Sequence, residues 1–154
     1  MVIDDNGIPT ALYTGNVSGH EEAYGMLARS RDEFLTWEKK MVMHNDQRPS
    51  ASSPVHWDAQ IWKGDSVWYQ LTGGAENGKG AAQIWSSPDL EKWTYQKAIY
   101  SGDPGNYWEL PYLIPFGEKN ALFVGKGNPY WIGEYDPTAL TFTPDKDQPQ
   151  SIDN

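Results

Sequence analysis

The chain has 154 residues and no Cys, and aromatic residues make up 14% of it, a share that argues against disorder. A formal net charge of −9 disfavours a nucleic-acid partner, because the phosphates would be repelled. The absence of Cys excludes disulfides and thiolate metal sites, and we expect no metal or other cofactor. We find no segment apolar enough to cross a bilayer and no signal peptide, so the sequence predicts a soluble protein without membrane partners and leaves its compartment open.

Short apolar and aromatic runs, separated by turn-forming residues, follow one another along the chain. In chain order the clearest runs are 9–13, 59–62, 67–71, 82–85 and 120–124. Turn signals such as Asn6-Gly7, Asn77-Gly78 and Gly117-Glu118 stand between them. Helix-forming residues occur over 21–34, but Gly25 and the surrounding pattern disfavour a helix there. The sequence therefore predicts an all-β fold.

An internal repeat organises these runs into three similar units. The units share a glycine that follows a strand and an aromatic residue near their end: Gly15 and Trp37, Gly73 and Trp93, Gly125 and Phe142. These residues recur at intervals of 49 to 58 residues. A period of about 50 residues with several short strands predicts the four-stranded blades of a β-propeller. A β-sandwich with accidentally similar turns is the alternative.

We place the three predicted blades at about 1–48, 54–102 and 106–146, followed by a tail at 147–154. Propellers use about four blades or more, so three blades predict a partial propeller over 1–154. Such a chain is a fragment, an open arc, or a unit that completes its ring with another copy. Because an exposed blade edge invites strand pairing, we expect a homo-oligomer that associates through blade edges.

Two carboxylates, Asp58 and Glu109, stand at equivalent positions near the start of the second and third units. If they begin innermost strands, both side chains point into one central funnel. Glycosidases need such a pair of acids, one as proton donor and one as stabiliser or nucleophile. The alternative is that both carboxylates only accept hydrogen bonds from loop amides at strand starts.

Aromatic residues flank both acids and are candidates for substrate binding. Trp57 and Trp108 each precede a carboxylate, and their apolar bulk disfavours ionisation of a neighbouring acid while their faces can stack on a sugar. Tyr107 is a further stacking candidate, and His56 is a candidate sugar contact. The alternative role for both Trp residues is packing. The histidines show no metal-ligand spacing, so we predict no metal site.

A third set of acids recurs at the turn before each closing aromatic residue. These acids are Asp32, Asp89 and Asp136. Their repetition predicts that they stabilise turns and take no part in catalysis.

An ordered set of motifs between about Ile8 and Tyr135 resembles glycoside hydrolase family 32, which includes invertases, levanases, inulinases and sucrose-phosphate hydrolases. The motifs are ALYTG at 11–15, ARSRD at 28–32, SPDL at 87–90 and WELP at 108–111. The resemblance implies a retaining hydrolase of β-fructosides, such as sucrose, levan or inulin. It also implies a five-bladed propeller followed by a β-sandwich.

The resemblance assigns roles to two of the family's three acids. Glu109 matches the acid/base and Asp58 matches the stabiliser, whereas the N-terminal nucleophilic Asp has no counterpart here. Trp57 and Ala59 replace the Arg and Pro that flank the stabiliser, and Leu110 replaces the Cys that follows the acid/base. Two alternatives therefore stay open: a catalytically inactive glycan-binding or interaction propeller fragment, and a related propeller glycosidase of different sugar specificity.

Overall fold

The computed structural model describes residues 1–17, 23–51, 53, 59–125 and 128–151. Within these ranges the regular structure is almost entirely β-strand and forms three antiparallel sheets in chain order. The all-β prediction is confirmed. The sheets meander, so that within each sheet consecutive strands of the chain pair with each other, except that β13 pairs with β11.

The first sheet has the strand order β1-β2-β3-β4. Its strands are β1 (Val2–Ile3), β2 (Pro9–Asn16), β3 (Ala23–Arg29) and β4 (Glu38–Met43). A short 3-10 helix, Asn45–Gln47, follows β4 and leads towards the second sheet.

The second sheet has the strand order β5-β6-β7-β8. Its strands are β5 (Gln60–Lys63), β6 (Trp68–Glu76), β7 (Lys79–Ser87) and β8 (Thr94–Gly102). Asn77 and Gly78 form the turn between β6 and β7, with φ values of 52° and 76°. Asn and Gly tolerate this left-handed conformation, which is why the pair predicted a hairpin here.

The third sheet has the order β12-β11-β10-β9, with β13 paired to β11. Its strands are β9 (Tyr112–Phe116), β10 (Lys119–Phe123), β11 (Pro129–Asp136), β12 (Thr141–Pro144) and β13 (Gln150–Ser151). Strand β13 lies in the segment 147–154 that was predicted to be a tail. Its pairing with Pro129 and Tyr130 ties that segment to the third sheet.

Two clusters of buried side chains hold the three sheets together. Neighbouring residues on β7, Ile84 and Trp85, point to opposite faces of the second sheet because side chains alternate along a strand. Ile84 joins a cluster that includes Leu122 and Trp131 of the third sheet, whereas Trp85 joins one that includes Leu27 of the first. The second sheet is therefore packed on both faces.

The recurrent aspartates stabilise turns, as predicted. Asp89 accepts hydrogen bonds from the backbone N–H groups of Glu91 (2.9 Å) and Lys92 (2.8 Å). Asp136 likewise accepts from Thr138 and Ala139, and Asp32 accepts from Thr36. The three acids repeat because each unit makes the same turn.

A cluster of charged side chains joins the first two sheets beside the apolar core. The Nε atom of Arg29 on β3 lies 3.1 Å from Oδ2 of Asp4, and the same guanidinium contacts Glu91 of the second sheet. Lys40 also binds Glu91, at 2.5 Å. The side chains of Arg29 and Asp4 are only 18% and 5% exposed, so water screens this pair less than it screens a surface pair.

The pKa values of the acids in this cluster lie below their ordinary values. Hydrogen bonds from Lys40 and Arg29 hold the pKa of Glu91 below its ordinary value of 4.5. Burial by itself would raise the pKa of Asp4, but backbone N–H donors and the charge of Arg29 outweigh it, so this pKa also lies below its ordinary value of 3.8. A carboxyl group whose pKa is lower in the folded than in the unfolded state stabilises the fold at pH values above its ordinary pKa. This stabilisation is lost as the pH falls through the lowered pKa.

We predict that Arg29→Met lowers the free energy of unfolding by about 1–2 kcal/mol at pH 7, because it leaves the buried Asp4 carboxylate without a cation and Glu91 with Lys40 alone. The loss should shrink at strongly acidic pH, below the lowered pKa values of Asp4 and Glu91, where both acids are neutral. Urea unfolding at both pH values measures it. Arg31→Met is the matched control, since Arg31 and its partner Glu38 are 58% and 74% exposed and should contribute little. An equal loss at both pH values would contradict the electrostatic origin.

Candidate active site

Glu109 lies in the segment that connects β8 to β9, three residues before β9 begins. Its side chain is half-buried, between the buried Trp108 and the exposed Leu110. Leu110 has a φ of 49°, in the left-handed region that side chains other than Gly rarely adopt. The surrounding contacts must hold this conformation, because an isolated chain would relax out of it.

Gly73 on β6 lets the backbone of this segment lie directly against the second sheet. The N–H of Trp108 donates a 3.0 Å hydrogen bond to the carbonyl oxygen of Gly74. A Cβ atom on Gly73 would lie 2.1 Å from the carbonyl oxygen of Trp108 and 3.0 Å from Cα of Glu109. Only glycine permits this approach, so Gly73 determines how close Glu109 comes to the second sheet.

The third sheet holds the segment from its other side. The N–H of Gly125, just after β10, donates a 2.7 Å hydrogen bond to the carbonyl oxygen of Glu109. Hydrogen bonds thus fix the backbone of Glu109 to the third sheet directly, and to the second sheet through the neighbouring Trp108. A carboxylate carried by a backbone anchored in this way is well placed to act at a defined point of a substrate.

Trp108 is a packing residue in this structure. Its ring is 2% exposed, lies 5.0 Å from the ring of Trp131 and 5.8 Å from that of Tyr100, and donates its N–H to the carbonyl oxygen of Pro104 at 2.9 Å. A Cβ atom on Gly80 would lie 2.0 Å from the indole ring. The structure therefore favours packing over sugar stacking as the role of Trp108, because protein covers the faces of its indole ring.

The other predicted site residues divide between described and undescribed parts of the chain. Tyr107 is half-buried beside Glu109 and stays a candidate for contact with a sugar. His56, Trp57 and Asp58 lie outside the described residues, so the pairing of Asp58 with Glu109 stays a prediction.

One contact near the site was missed at the level of sequence. Gln60, at the start of β5, accepts a 2.7 Å hydrogen bond from the N–H of Leu113 on β9. The same amide donates a 2.9 Å hydrogen bond to the carbonyl oxygen of Leu113. These bonds join the strand after Asp58 to the strand after Glu109. The only sequence signal is an amide side chain within an apolar run, which by itself has many explanations.

The described ranges contain no group of three or more His, Asp or Glu residues placed to hold a metal ion. In the same ranges no helix is long and apolar enough to cross a membrane.

Comparisons with known proteins agree with the family resemblance of the sequence. The family model described as glycosyl hydrolases family 32 N-terminal domain matches residues 1–154. Sucrose-6-phosphate hydrolase of Salmonella typhimurium is 29% identical over 130 residues, which cover 78% of this chain and 27% of that protein. The extracellular exo-inulinase of Aspergillus awamori is 28% identical over 169 residues, which cover 91% of this chain and 30% of that protein.

Solved structures show the same fold. A mutant β-fructofuranosidase of Bombyx mori in complex with sucrose superposes with a TM-score of 0.72 at 26% identity, over 94% of this chain and 34% of that one. Fructan 1-exohydrolase IIa of Cichorium intybus in complex with 1-kestose gives 0.74 at 24% identity, over 96% and 32%. The chain thus spans about a quarter to a third of these relatives. The matches confirm the β-propeller prediction.

We predict that Gly73→Ala displaces the segment that carries Glu109, because the added methyl group would overlap the carbonyl oxygen of Trp108. It should lower the free energy of unfolding by about 2–4 kcal/mol, as overpacking against a rigid backbone does. Thermal unfolding and the chemical shifts of Trp108 and Glu109 measure the two effects.

Gly117→Ala is the control for this substitution. Gly117 has a φ of 62° and open space where an added methyl group would stand, so its replacement should cost only about 1 kcal/mol of backbone strain. Its chemical shift changes should stay within the turn between β9 and β10. A Gly73→Ala protein with unshifted Trp108 and Glu109 signals would show that the contact does not position the segment.

Proposed function

The chain belongs to glycosyl hydrolase family 32, and we propose that it forms the part of a β-fructosidase that carries the acid/base Glu109 and the stabiliser Asp58. The observation that carries the proposal is the anchoring of the Glu109 backbone by hydrogen bonds to the second sheet through Trp108 and to the third sheet through Gly125. Its relatives support the substrate class. They are named for sucrose 6-phosphate and inulin, and solved relatives hold sucrose and 1-kestose.

In the proposed reaction Glu109 acts twice. Its carboxyl group first protonates the departing glycosidic oxygen, and its carboxylate then takes a proton from the water that releases the fructosyl group from the enzyme. Asp58 accepts hydrogen bonds from fructosyl hydroxyls and stabilises the positive charge that develops in the transition state. The nucleophile that a retaining mechanism also requires is not assigned to any residue of this chain.

The proposed substrate contacts are Tyr107, Trp57 and His56. Trp57 stands where the family has an Arg, so it offers an apolar face in place of a guanidinium that would bind fructosyl hydroxyls. This replacement predicts a specificity that differs from that of relatives with the Arg. Trp108 contributes indirectly, because its buried ring holds the backbone that carries Glu109.

We predict that, in a protein that combines this chain with the nucleophile, Glu109→Gln lowers the rate of fructose release by about 10²–10⁴-fold, the usual contribution of a general acid/base. Sucrose, sucrose 6-phosphate, inulin and levan are the substrates to assay. Glu118→Gln is the matched control, since Glu118 is exposed in the turn between β9 and β10. Activity that Glu109→Gln retains would overturn the assigned role.

The same assay separates hydrolysis from glycan binding alone. A catalytically inactive glycan-binding protein would bind one of these sugars in calorimetry, yet neither the wild-type chain nor any variant would release fructose.

We also propose that the chain forms homo-oligomers through an apolar face of the third sheet. Strand β9 ends the strand order of that sheet. Its backbone edge is not open for strand pairing, because Gln60 binds both polar backbone groups of Leu113 and Pro115 has no N–H. Three apolar side chains on one face of β9 are exposed: Tyr112, Ile114 and Phe116, at 43%, 44% and 62% exposure. Such a face favours contact with another chain.

We predict a mass of two or more chains in light scattering and a lower mass for Phe116→Lys, because a charged side chain opposes burial of this apolar face. Leu35→Lys is the control, since Leu35 is 82% exposed in a loop of the first sheet. A wild-type protein that stays monomeric at every concentration would exclude the oligomer.

A further inference from the structure

We propose that Gln60 is a positioning residue for Glu109. The amide side chain of Gln60 holds the segment that carries Glu109 in register with the strand that follows Asp58. The inference rests on the proposed function, because it concerns the geometry of the acids that function assigns. It adds to the site a residue that touches neither substrate nor reacting atoms.

The contact resembles one hydrogen-bonded residue pair of an antiparallel sheet, in which the side-chain amide of Gln60 takes the place of a backbone peptide group. Gln60 Oε1 accepts from the N–H of Leu113 at 2.7 Å, and Gln60 Nε2 donates to the carbonyl oxygen of Leu113 at 2.9 Å. Both polar backbone groups of Leu113 are thus satisfied by one amide. In the described residues β5 and β9 belong to different sheets, so this amide provides the hydrogen bonds between them.

The position of the contact explains its effect on Glu109. The backbone of Glu109 is fixed at its own carbonyl oxygen by Gly125, and the β9–β10 ladder begins three residues later with Tyr112 opposite Phe123. Leu113, the second residue of that ladder, carries the contact to Gln60. Between Glu109 and the ladder lies Leu110, whose φ of 49° is unfavourable for a side chain with a Cβ atom. Loss of the Gln60 contact would loosen this end of the ladder, and the segment that carries Glu109 would move with it.

The other end of the contact lies close in sequence to the second acid. Asp58 precedes Gln60 by two residues in the sequence. The contact between Gln60 and Leu113 therefore fixes the strand that follows Asp58 against the strand that follows Glu109. Misplacement of a catalytic group by about 1 Å can lower a rate by about 100-fold.

Glutamine has the chemistry that this contact requires. Its amide is a donor and an acceptor at once, whereas Met has a similar length without strong hydrogen-bonding groups. A Glu side chain reproduces both bonds only when it is protonated, because an ionised carboxylate cannot donate to the carbonyl oxygen of Leu113. Gln60→Met therefore removes the contact, and Gln60→Glu makes it dependent on pH.

The experiment compares Gln60→Met and Gln60→Glu with the wild-type chain. Gln96→Met is the control, because Gln96 also makes two hydrogen bonds with its amide but is exposed on β8. The first measurement is hydrogen exchange of the Gly125 N–H, which is bonded to Glu109 and not to Gln60 or Leu113. The second is kcat and KM for fructose release from sucrose.

We expect Gln60→Met to speed exchange of the Gly125 N–H by about tenfold or more and to lower kcat by about 10–100-fold with a smaller change in KM. In Gln60→Glu the exchange should be slow, as in the wild type, at a pH where the introduced carboxyl is protonated, and fast where it is ionised. Gln96→Met should match the wild type in both measurements.

Unchanged Gly125 exchange and kcat in a folded Gln60→Met protein would overturn the inference. If Gln60→Met does not fold, Gln60→Glu decides, because Gly125 exchange with the same pH dependence as in the wild type would also overturn it. A wild-type protein that supplies the nucleophile and still lacks activity would count against the proposed function alone, since the exchange measurement tests the contact without catalysis.

Discussion

The candidate site depends on one close approach, that of the backbone at Trp108 and Glu109 to β6. Gly73 presents bare backbone to this segment, and the carbonyl oxygen of Gly74 accepts a hydrogen bond from Trp108. Gly80 on β7 leaves room for the indole ring. Trp108 fills that space and is almost completely buried, so it joins the apolar core between the second and third sheets. The same packing that stabilises two sheets therefore also determines where Glu109 lies.

This arrangement separates the roles of neighbouring residues. The ring of Trp108 is buried in the core, whereas Glu109 beside it is only half-buried and stays accessible to solvent. Backbone hydrogen bonds to Gly74 and Gly125 hold the pair, and Gln60 holds the start of β9. A proton-transferring group benefits from such anchoring, because each contact made before the substrate binds reduces the ordering needed during the reaction.

The two junctions between sheets use different chemistry. The junction near Glu109 is apolar and aromatic, with backbone and amide hydrogen bonds along it. The junction between the first and second sheets adds the charged cluster of Arg29, Asp4 and Glu91 to an apolar core that contains Trp85. The pKa values of Asp4 and Glu91 lie below their ordinary values. The stability of the junction between the first and second sheets should therefore depend on pH in the acidic range.

The sequence by itself determined the all-β class, the repeat of three sheets and the family. These features depend on local patterns, because turn residues such as Asn77-Gly78 and alternating side chains act within a few residues of themselves. It also predicted the turn aspartates, which the structure confirms, and a catalytic role for Glu109, which stays a prediction. Only the tertiary structure decided that Trp108 packs in the core, that Gly73 contacts the backbone of Trp108 and Glu109, and that Gln60 binds Leu113. Each of these outcomes depends on which strands meet across two sheets, and residues tens of positions apart carry no local signal of that meeting.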